Sequence, residues 1–291
     1  MIKTGIIGLF DKGNGHPFSY SSIVNGFSEK GYKKSEYSNI LKYLKKKKIK
    51  DFKIKNVKIT HAWTQNPKLT KILCAASKIK TPLKNYSSML NQVDALIIAR
   101  DDMHYKISKP FLEKKIPVFI DKPLSLDQKE LIFFSKYIKK GQLMSTSGLR
   151  YSKETKILKH EIKKLGKIKF ITANIVNDWK KYGVHILEVL DEIGFLDVKK
   201  IEKINTRYES YNLITKKNTN IIINCLGKNS AIYNISVFGD KGKFSIDFND
   251  NFTAFKNTLK KFFYMVKSKK VLITPSRTLN IMKIIKSASK L

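Results

Sequence analysis

A lysine beside a proline is the first residue of this chain whose position suggests chemistry. Lys122 follows a short apolar stretch in "PVFIDKPLSL", between Asp121 and Pro123. If that stretch is a strand of a parallel sheet, Lys122 stands at its carboxyl end, where open α/β sheets bind ligands. Proline restricts the residue before it to an extended backbone, so we expect the ammonium group to point into a ligand cleft. The alternative is that Lys122 is an ordinary lysine on the protein surface.

A histidine within "WKKYGVHILEVLDEI" is the second candidate. Imidazole changes charge near neutrality, so His185 suits proton transfer, and we expect the carboxylate of Glu188 to fix its tautomer. Lys181 lies on the same helical face and is expected to keep the imidazole neutral. The alternative is that His185 has only a structural role. The substrate-binding candidates around it are Asp178, Trp179, Lys181, Tyr182 and Glu188.

A glycine-containing loop follows the first apolar run, in "GIIGLFDKGNGHPF". Gly8 and Gly13 hold the first and third positions of the dinucleotide motif G-x-G-x-x-G, but Phe10 occupies the middle position. Gly13, Asn14 and Gly15 are expected to form a tight turn whose N–H groups face phosphates. A plain turn between a strand and a helix is the alternative.

Further candidate residues follow the next strands. The second strand ends in "HAWTQNPK", without the acid that binds ribose hydroxyls, so the choice between NAD and NADP stays open. Candidates for contact with a dinucleotide are Thr64, Gln65, Arg100, Asp101 and Asp121, with Lys68 for a 2′-phosphate. His16 and Arg150 are candidates for substrate contact. No histidine, cysteine or carboxylate cluster has the spacing of a metal site.

The first half of the chain alternates strands and helices, which predicts a parallel sheet covered on both faces. Strands are expected at 4–10, 57–63, 93–100 and 117–120, and helices at 20–27, 38–47, 67–77, 104–115 and 125–141. Ser125 is the expected cap of the last of these helices. The prediction is therefore an α/β Rossmann-like domain over residues 1–147.

The second half has a different pattern. Helices are expected at 152–165 and 182–193, with a long strand at 167–178 between them. Alternating apolar and polar runs then predict a mostly antiparallel open sheet, with a hairpin turn from Gly239 to Gly242, and two helices close the chain. We expect residues 148–291 to form an α+β domain that binds substrate and mediates oligomerisation.

The composition of the chain narrows the classes of partner. The net charge is +35, but only four of the 58 basic residues are arginine, the side chain that suits base and phosphate recognition best. We interpret the lysine excess as a compositional bias and expect no specific nucleic-acid binding; a polyanion-binding protein is an alternative. No apolar run is long enough to cross a membrane, and no secretion signal is recognisable, so a cytoplasmic location is expected.

One long segment resembles the glucose–fructose oxidoreductase / inositol dehydrogenase / MocA (Gfo/Idh/MocA) family. The stretch "VDALIIARDDMHYKISKPFLEKKIPVFIDKPLSL" has the strand–helix–strand order of that family and carries Asp-Lys-Pro where the family has Glu-Lys-Pro. The family's second signature, Asp-x-Gly-x-His-x-x-Asp, matches "KYGVHILE" at Gly183 and His185. Glu188 replaces the last acid, and Lys181 stands in place of the first acid.

The resemblance implies an NAD(P)-dependent oxidoreductase that acts on the CH–OH group of a sugar, sugar derivative or cyclitol. It implies that Lys122 contacts the reacting hydroxyl and that His185 is the acid/base residue, with both side chains on opposite sides of one cleft. It also implies a homodimer or homotetramer that uses the open sheet. Because Phe10 and Lys181 depart from the family pattern, a cofactor-binding protein that has lost catalysis is an alternative.

Overall fold

The computed structural model describes residues 1–10, 14–228 and 232–291. Contacts between Cα atoms divide the chain into two compact units. Unit 1 contains Met1–Ser145 and Phe255–Pro275, and unit 2 contains Thr146–Ala254 and Ser276–Leu291. The predicted division put the whole of 148–291 in the second domain, whereas 255–275 here groups with the first unit.

The sheet of unit 1 is parallel throughout, in the order β3-β2-β1-β4-β5-β6. Its strands are β1 (Ile2–Gly8), β2 (Val57–Thr64), β3 (Thr81–Pro82), β4 (Ala95–Ala99), β5 (Val118–Ile120) and β6 (Leu143–Ser145). All residues of β4 and β5 are buried, as expected for central strands that are covered on both faces. This arrangement confirms the predicted Rossmann-like fold.

The helices of unit 1 connect these strands and cover the sheet. They are α1 (His16–Asn25), α2 (Glu29–Tyr32), α3 (Ser38–Lys45), α4 (Pro67–Ala76), α5 (His104–Glu113) and α6 (Gln128–Lys139). Helix α1 begins four residues before its predicted start, because Pro17 fits the first turn of a helix. The predicted cap of α6 was wrong: Asp127, not Ser125, accepts the N–H groups of Lys129 and Glu130.

A helix near the end of the chain supplies the remainder of unit 1. Helix α9 (Asn251–Ser268) has an aromatic face, and its segment from Phe255 onward belongs to this unit. The ring of Phe262 lies 5.8 Å from Phe119 of β5, and the ring of Phe255 lies 5.2 Å from Tyr20 of α1. Burial of these aromatic rings accounts for the grouping of 255–275 with unit 1.

The sheet of unit 2 has the order β12-β11-β7-β10-β9-β8, and all its pairings are antiparallel except that of β7 with β10. Its strands are β7 (Ile168–Ile175), β8 (Val198–Ile204), β9 (Glu209–Thr215), β10 (Asn220–Cys225), β11 (Tyr233–Gly239) and β12 (Gly242–Asp247). Gly239 pairs with Gly242 at the turn between β11 and β12, which confirms the predicted hairpin.

Three helices complete unit 2. They are α7 (Lys153–Glu161), α8 (Trp179–Glu192) and α10 (Pro275–Ala288), of which residues from Ser276 onward belong to the unit. Helix α8 packs on β7 and β10. Ile186, Val189 and Leu190 are fully buried, as the apolar spacing of the sequence predicts. Within the described ranges, no helix is long and apolar enough to cross a membrane.

Candidate functional site

The carboxyl ends of β1, β2, β4 and β5 lie side by side in unit 1, and we call this border of the sheet the ligand edge. Gly8 is paired with Thr64 on one side and with Ala99 on the other, and Ile98 is paired with Ile120. The residues that follow these strands are therefore brought together by the parallel register. Parallel α/β sheets bind their ligands at this border.

Gly8 is needed at the ligand edge for packing. A Cβ atom at Gly8 would collide with the ring of Pro17 in α1, so glycine lets the helix approach the strand closely. The next two residues, Leu9 and Phe10, have φ angles of 68° and 155°, in the region of positive φ that favours glycine. The side chain of Phe10 is 58% exposed. Gly13 of the predicted motif lies outside the described residues.

Asn14 and Gly15 lead from this loop into α1. The amide of Asn14 donates to Asp101 over 3.1 Å and to the carbonyl of Ala99 over 3.4 Å, and its oxygen accepts the N–H of His16. Gly15 is the residue before α1 and provides no side-chain cap. The first N–H group of α1 is thus occupied by Asn14, and the next residue, Pro17, has no N–H group.

Thr64, at the end of β2, was predicted to contact a dinucleotide, but its side chain is not accessible. Its side chain is buried, and its hydroxyl bonds Thr70 at 2.9 Å and the carbonyl of Asn66 at 2.8 Å, so it fixes the start of α4. Gln65 is exposed and donates to the carbonyl of Phe10 over 2.9 Å. Of the two predicted ribose contacts, only Gln65 presents an accessible polar side chain.

Arg100 follows β4 at the same edge and is 3% exposed. Its Nε donates to Asp102 over 2.5 Å, and its guanidinium lies 5.6 Å from the ring of Trp63. Nη1 is buried and finds no acceptor among the described residues. A buried cationic donor that finds no partner among the described residues fits an anionic ligand such as a dinucleotide.

Asp121 gathers the polar groups at the end of β5. His16 donates from Nδ1 to one carboxylate oxygen, and the hydroxyl of Tyr20 donates to the other over 3.0 Å. Asp121 and Tyr20 are 1% exposed, and Lys122, the next residue, is 6% exposed. Lys122 is therefore held within the ligand edge rather than at an open surface, and its peptide bond to Pro123 is cis.

The carboxylate of Asp121 stays ionised in this buried position. Burial alone raises the pKa of a carboxyl group, but the charge and the hydrogen bond of His16 lower it, with help from the charge of Lys122 and the hydroxyl of Tyr20. The resulting pKa of Asp121 lies well below its usual range. The same burial and the carboxylate raise the pKa of Tyr20, which remains a hydrogen-bond donor.

In unit 2, α8 carries the predicted histidine. His185 is 8% exposed, and its Nδ1 lies 2.7 Å from the hydroxyl of Ser147, which also accepts the N–H of Leu149. The rings of Tyr182 and Tyr233 each lie 5.6 Å from the imidazole. Ser147, which the sequence gave no reason to single out, is therefore a direct partner of His185.

Glu188 has a different partner from the predicted one. Its carboxylate accepts hydrogen bonds from Thr146, at 2.8 Å, and from Nε of Arg150. Burial raises the pKa of Glu188, while Arg150 and Thr146 act in the opposite direction. The hydrogen bond that orients His185 at Nδ1 comes from Ser147 rather than from this carboxylate.

Arg150 is fully buried and holds three acids of α8, so its predicted contact with a substrate is not retained. Its Nη2 lies 2.5 Å from Asp191, and its Nη1 lies 3.1 Å from Glu192. Arg277 of α10 reaches the same two acids over 2.7 and 3.2 Å. These ion pairs fasten the turn at Gly148–Tyr151 and α10 to α8.

The first turn of α8 contains the other predicted substrate residues. Trp179 is fully buried: its ring lies 4.7 Å from Tyr211, and its N–H donates to the carbonyl of Ile285, so it belongs to the core. Asp178 caps the helix by accepting the N–H of Lys181. The side chains of Lys181 and Tyr182 are half-buried. Gly183 is required because a Cβ atom there would lie 2.8 Å from the ring of Trp179.

The described residues contain no group of three histidine, cysteine or acidic side chains that could hold a metal ion. Two groups of polar side chains are the candidates for a functional site. One is the ligand edge of unit 1, with His16, Arg100, Asp121 and Lys122. The other is His185 of unit 2 with Ser147. The pairing of His16 with Asp121 joins residues 105 positions apart, so no local pattern in the sequence could indicate it.

Comparison with known proteins agrees with the fold. Residues 37–148 match the Gfo/Idh/MocA family, described as an oxidoreductase family with an NAD-binding Rossmann fold. No curated protein matches the chain in sequence. The family match covers β2 to β6 and includes Arg100, Asp121 and Lys122.

Solved structures with low sequence identity share the whole fold. Apo scyllo-inositol dehydrogenase from Lactobacillus casei has a TM-score of 0.78 at 14% identity, over 100% of this chain and 95% of that chain. Myo-inositol 2-dehydrogenase from Lactobacillus plantarum has a TM-score of 0.77 at 17% identity, over 99% and 96%. The L. casei enzyme with NAD(H) and scyllo-inositol bound has a TM-score of 0.75 at 15% identity, over 100% and 96%.

At these identities the structural likeness establishes the fold, and the match over residues 37–148 adds an NAD-binding Rossmann fold, which takes NAD or NADP as cofactor. The cofactor fits the ligand edge, where Arg100 keeps a buried donor that finds no partner among the described residues. This chain shares the fold of these inositol dehydrogenases, and its residues 37–148 match the Gfo/Idh/MocA family of oxidoreductases.

Proposed function

We propose that the protein is an NAD(P)-dependent dehydrogenase or reductase that acts on a CH–OH group of a sugar, sugar derivative or cyclitol. The observation that carries the proposal is the position of Lys122, buried at the carboxyl end of β5 beside the ionised Asp121. The shared fold of the scyllo-inositol dehydrogenase from L. casei, which binds NAD(H) and scyllo-inositol, supports the substrate class.

The ligand edge has the groups that a dinucleotide requires. The guanidinium of Arg100 would face its negatively charged phosphates. Gln65 would meet the ribose at the end of β2. When bound, the nicotinamide ring supplies the hydride acceptor or donor, and the chain has to hold the substrate oxygen and manage its proton.

We assign to Lys122 the contact with the reacting oxygen of the substrate. Its ammonium group would donate a hydrogen bond to that oxygen and stabilise negative charge as the O–H bond breaks. His185 is assigned the transfer of the hydroxyl proton, as the resemblance implies, with its ring oriented by Ser147.

A second candidate function is cofactor binding without turnover. Two features favour it: Lys181 stands where the family has an acid, and Phe10 stands where the family has a glycine. Glu188, which matches the last acid of the family's signature, is engaged by Arg150. In this case Lys122 would still face the cofactor but would have no reacting substrate oxygen.

The two candidates are separated by one series of measurements. NADH and NADPH are titrated into the protein while the nicotinamide fluorescence is followed, and NAD(P)-linked turnover is then measured across a panel of sugars and cyclitols. Saturable binding with turnover of at least one compound is the expected result. Binding without turnover would favour the second candidate, and the absence of binding would exclude both.

A further inference from the structure

The His16–Asp121 pair has a geometry that the proposed mechanism does not use. The imidazole donates from Nδ1 to a fully buried carboxylate, whose second oxygen accepts the hydroxyl of Tyr20. Nε2 of His16 has no hydrogen-bond partner among the described residues, and the side chain is 24% exposed. A histidine held at one nitrogen by a carboxylate, with its other nitrogen accessible, is the arrangement that enzymes use for proton transfer.

The ring of His16 is fixed by its neighbours. Tyr20 lies 5.4 Å from it in the next turn of α1, and Phe255 of α9 meets it edge-on at 5.1 Å. Phe255 also packs edge-on against Tyr20. An aromatic wall and a carboxylate anchor together leave the imidazole little rotational freedom, and this pre-organises Nε2.

The charged and polar groups around the His16–Asp121 pair already have partners. Asp121 accepts the hydrogen bond of His16, precedes Lys122 in the chain, and stays ionised. Arg100 and Asp102 pair with each other at this edge, and Asp101 accepts the amide of Asn14. Tyr20 donates to Asp121, and Phe255 from α9 is uncharged. Imidazole is the side chain that most often serves as an acid/base group in enzymes, so His16 is the group here that suits proton exchange.

We propose that His16, in unit 1, is the acid/base residue that exchanges the proton of the substrate hydroxyl. The inference rests on the proposed function and reassigns this proton from His185 to His16, which leaves His185 to hold the substrate. In the oxidation direction, the substrate C–H bond breaks, and the bound nicotinamide would accept the hydride. The substrate O–H bond breaks, its proton passes to Nε2 of His16, and the carbonyl double bond forms.

The imidazolium that results is compensated by the carboxylate of Asp121, which makes Asp121 a positioning residue for this step. The proton then leaves to solvent from the exposed side of the ring. In the reduction direction the same imidazolium donates its proton to the substrate oxygen. Balance is kept, because one hydride and one proton leave the alcohol in oxidation and both return in reduction.

The test uses three variants of the full-length protein. His16→Gln keeps an amide N–H for Asp121 but cannot carry a proton. Asp121→Asn removes the counter-charge and retains the shape. His61→Gln is the matched control, because His61 is also half-buried in unit 1 and hydrogen-bonds Thr60 and Gln92 rather than a carboxylate. For each variant, kcat and KM are measured from about pH 5 to about pH 10, a range that spans imidazole titration, and the Kd of NADH or NADPH is measured by fluorescence.

The expected result has three parts. His16→Gln lowers kcat by roughly a hundredfold to ten-thousandfold and removes the acidic limb of the kcat/KM profile for oxidation, with an unchanged Kd for the reduced cofactor. Asp121→Asn moves that limb to lower pH by about 1 unit or more, because the imidazolium loses its counter-charge. His61→Gln behaves as the wild-type protein.

Two results would overturn the inference. Turnover by the wild-type protein with an unchanged pH profile in His16→Gln would remove His16 from proton transfer and leave the proposed function intact. Failure of the wild-type protein to bind either reduced cofactor would remove the inference together with the proposed function. Far-UV circular dichroism and thermal unfolding of His16→Gln identify a folding defect, in which case the shift of the limb in Asp121→Asn decides the question.

Discussion

Asp121 is the residue on which the ligand edge depends. It accepts hydrogen bonds from two residues of α1 and carries the negative charge beside Lys122. An ionised carboxylate in a buried position is stable only when its partners replace the water it has lost. The packing of α1 on the sheet and the charge state of the candidate site are thus linked through one side chain.

This linkage predicts a pH-dependent contribution to stability. Because the pKa of Asp121 in the folded protein lies below its unfolded value of about 4, the unfolded state binds more protons in the acidic range. The contribution of Asp121 is therefore fully present above about pH 4 and is lost as the pH falls further. We expect the difference in free energy of unfolding between the wild-type protein and Asp121→Asn to shrink from about pH 5 to about pH 2, measured by urea denaturation. A difference that is constant over this range would contradict the assigned charge.

The hydroxyl of Ser147 bonds Nδ1 of His185, where the carboxylate of Glu188 was expected. It accepts the N–H of Leu149 and can still either donate to or accept from Nδ1 of His185. A hydroxyl leaves both tautomers of the imidazole available, because it can act as donor or acceptor. Ser147 is thus suited to orient the ring of His185.

We expect Ser147→Ala to lower kcat by roughly tenfold to a hundredfold with little change in KM, as for other residues that orient a functional histidine. The control is Ser145→Ala, which removes a buried hydroxyl two positions earlier. Steady-state kinetics of both variants provide the measurement. Equal effects of the two substitutions would show that a buried hydroxyl is lost without any specific influence on His185.

At the scale of elements, the regular pattern of the chain was sufficient for most of the fold. The apolar runs and their spacing predicted the central strands of unit 1 and the buried stripe of α8, because burial imposes that periodicity. Strand β6 was missed, since its three residues are too short to show a period. The grouping of 255–275 with unit 1 also could not be predicted, because it depends on contacts between rings far apart in sequence.

The candidate site was predictable only in part for the same reason. Lys122 and His185 stand in local patterns, at a strand end before a proline and on an amphipathic helix. Trp179 and Arg150 appeared polar or accessible in the sequence, yet the packing against Tyr211 and the acids of α8 buries them. Tertiary contacts decide which polar side chains remain available, and one sequence does not specify those contacts.

The loop between β1 and α1 is the element that departs most from the family pattern. Leu9 and Phe10 have positive φ angles, which cost non-glycine residues roughly 1–3 kcal/mol. We expect Phe10→Gly to tighten the binding of NADH or NADPH, because glycine adopts this conformation freely and lets the backbone approach the pyrophosphate. Phe10→Ala is the control, since it removes the ring but keeps the Cβ atom. If Ala and Gly have the same effect in a fluorescence titration, the ring rather than the backbone limits binding.

At the scale of the whole molecule, the sheet of unit 2 presents an open face. Buried residues such as Ile171 and Val237 alternate with half-buried Phe170 and Phe238, whose rings lie 6.0 Å apart. Helix α8 packs on this sheet. We propose that the open face forms the interface of a homodimer or homotetramer, as the resemblance to the Gfo/Idh/MocA family implies.

This proposal predicts an oligomer that one charge disrupts. Light scattering coupled to size-exclusion chromatography should give a multiple of the 33.6 kDa chain mass, and Phe238→Asp should shift the population toward the monomer. The reason is the cost of burying an unpaired carboxylate in an apolar interface. Ile157→Asp is the control for the added charge itself, because Ile157 is an exposed apolar residue of α7 rather than of the sheet. A wild-type protein that is monomeric at all concentrations tested would contradict the proposal.

The most direct test of the central claim is the reduction of NAD or NADP by the wild-type protein and by Lys122→Ala, with a sugar or cyclitol that the wild-type protein oxidises. The ammonium group of Lys122 is assigned to the reacting oxygen, so its removal should lower kcat by roughly two to four orders of magnitude, while the Kd of the reduced cofactor changes much less. The absorbance of the reduced nicotinamide reports the rate. Turnover by Lys122→Ala at the wild-type rate would contradict the claim that this lysine, at the carboxyl end of β5, lies at the centre of the reaction.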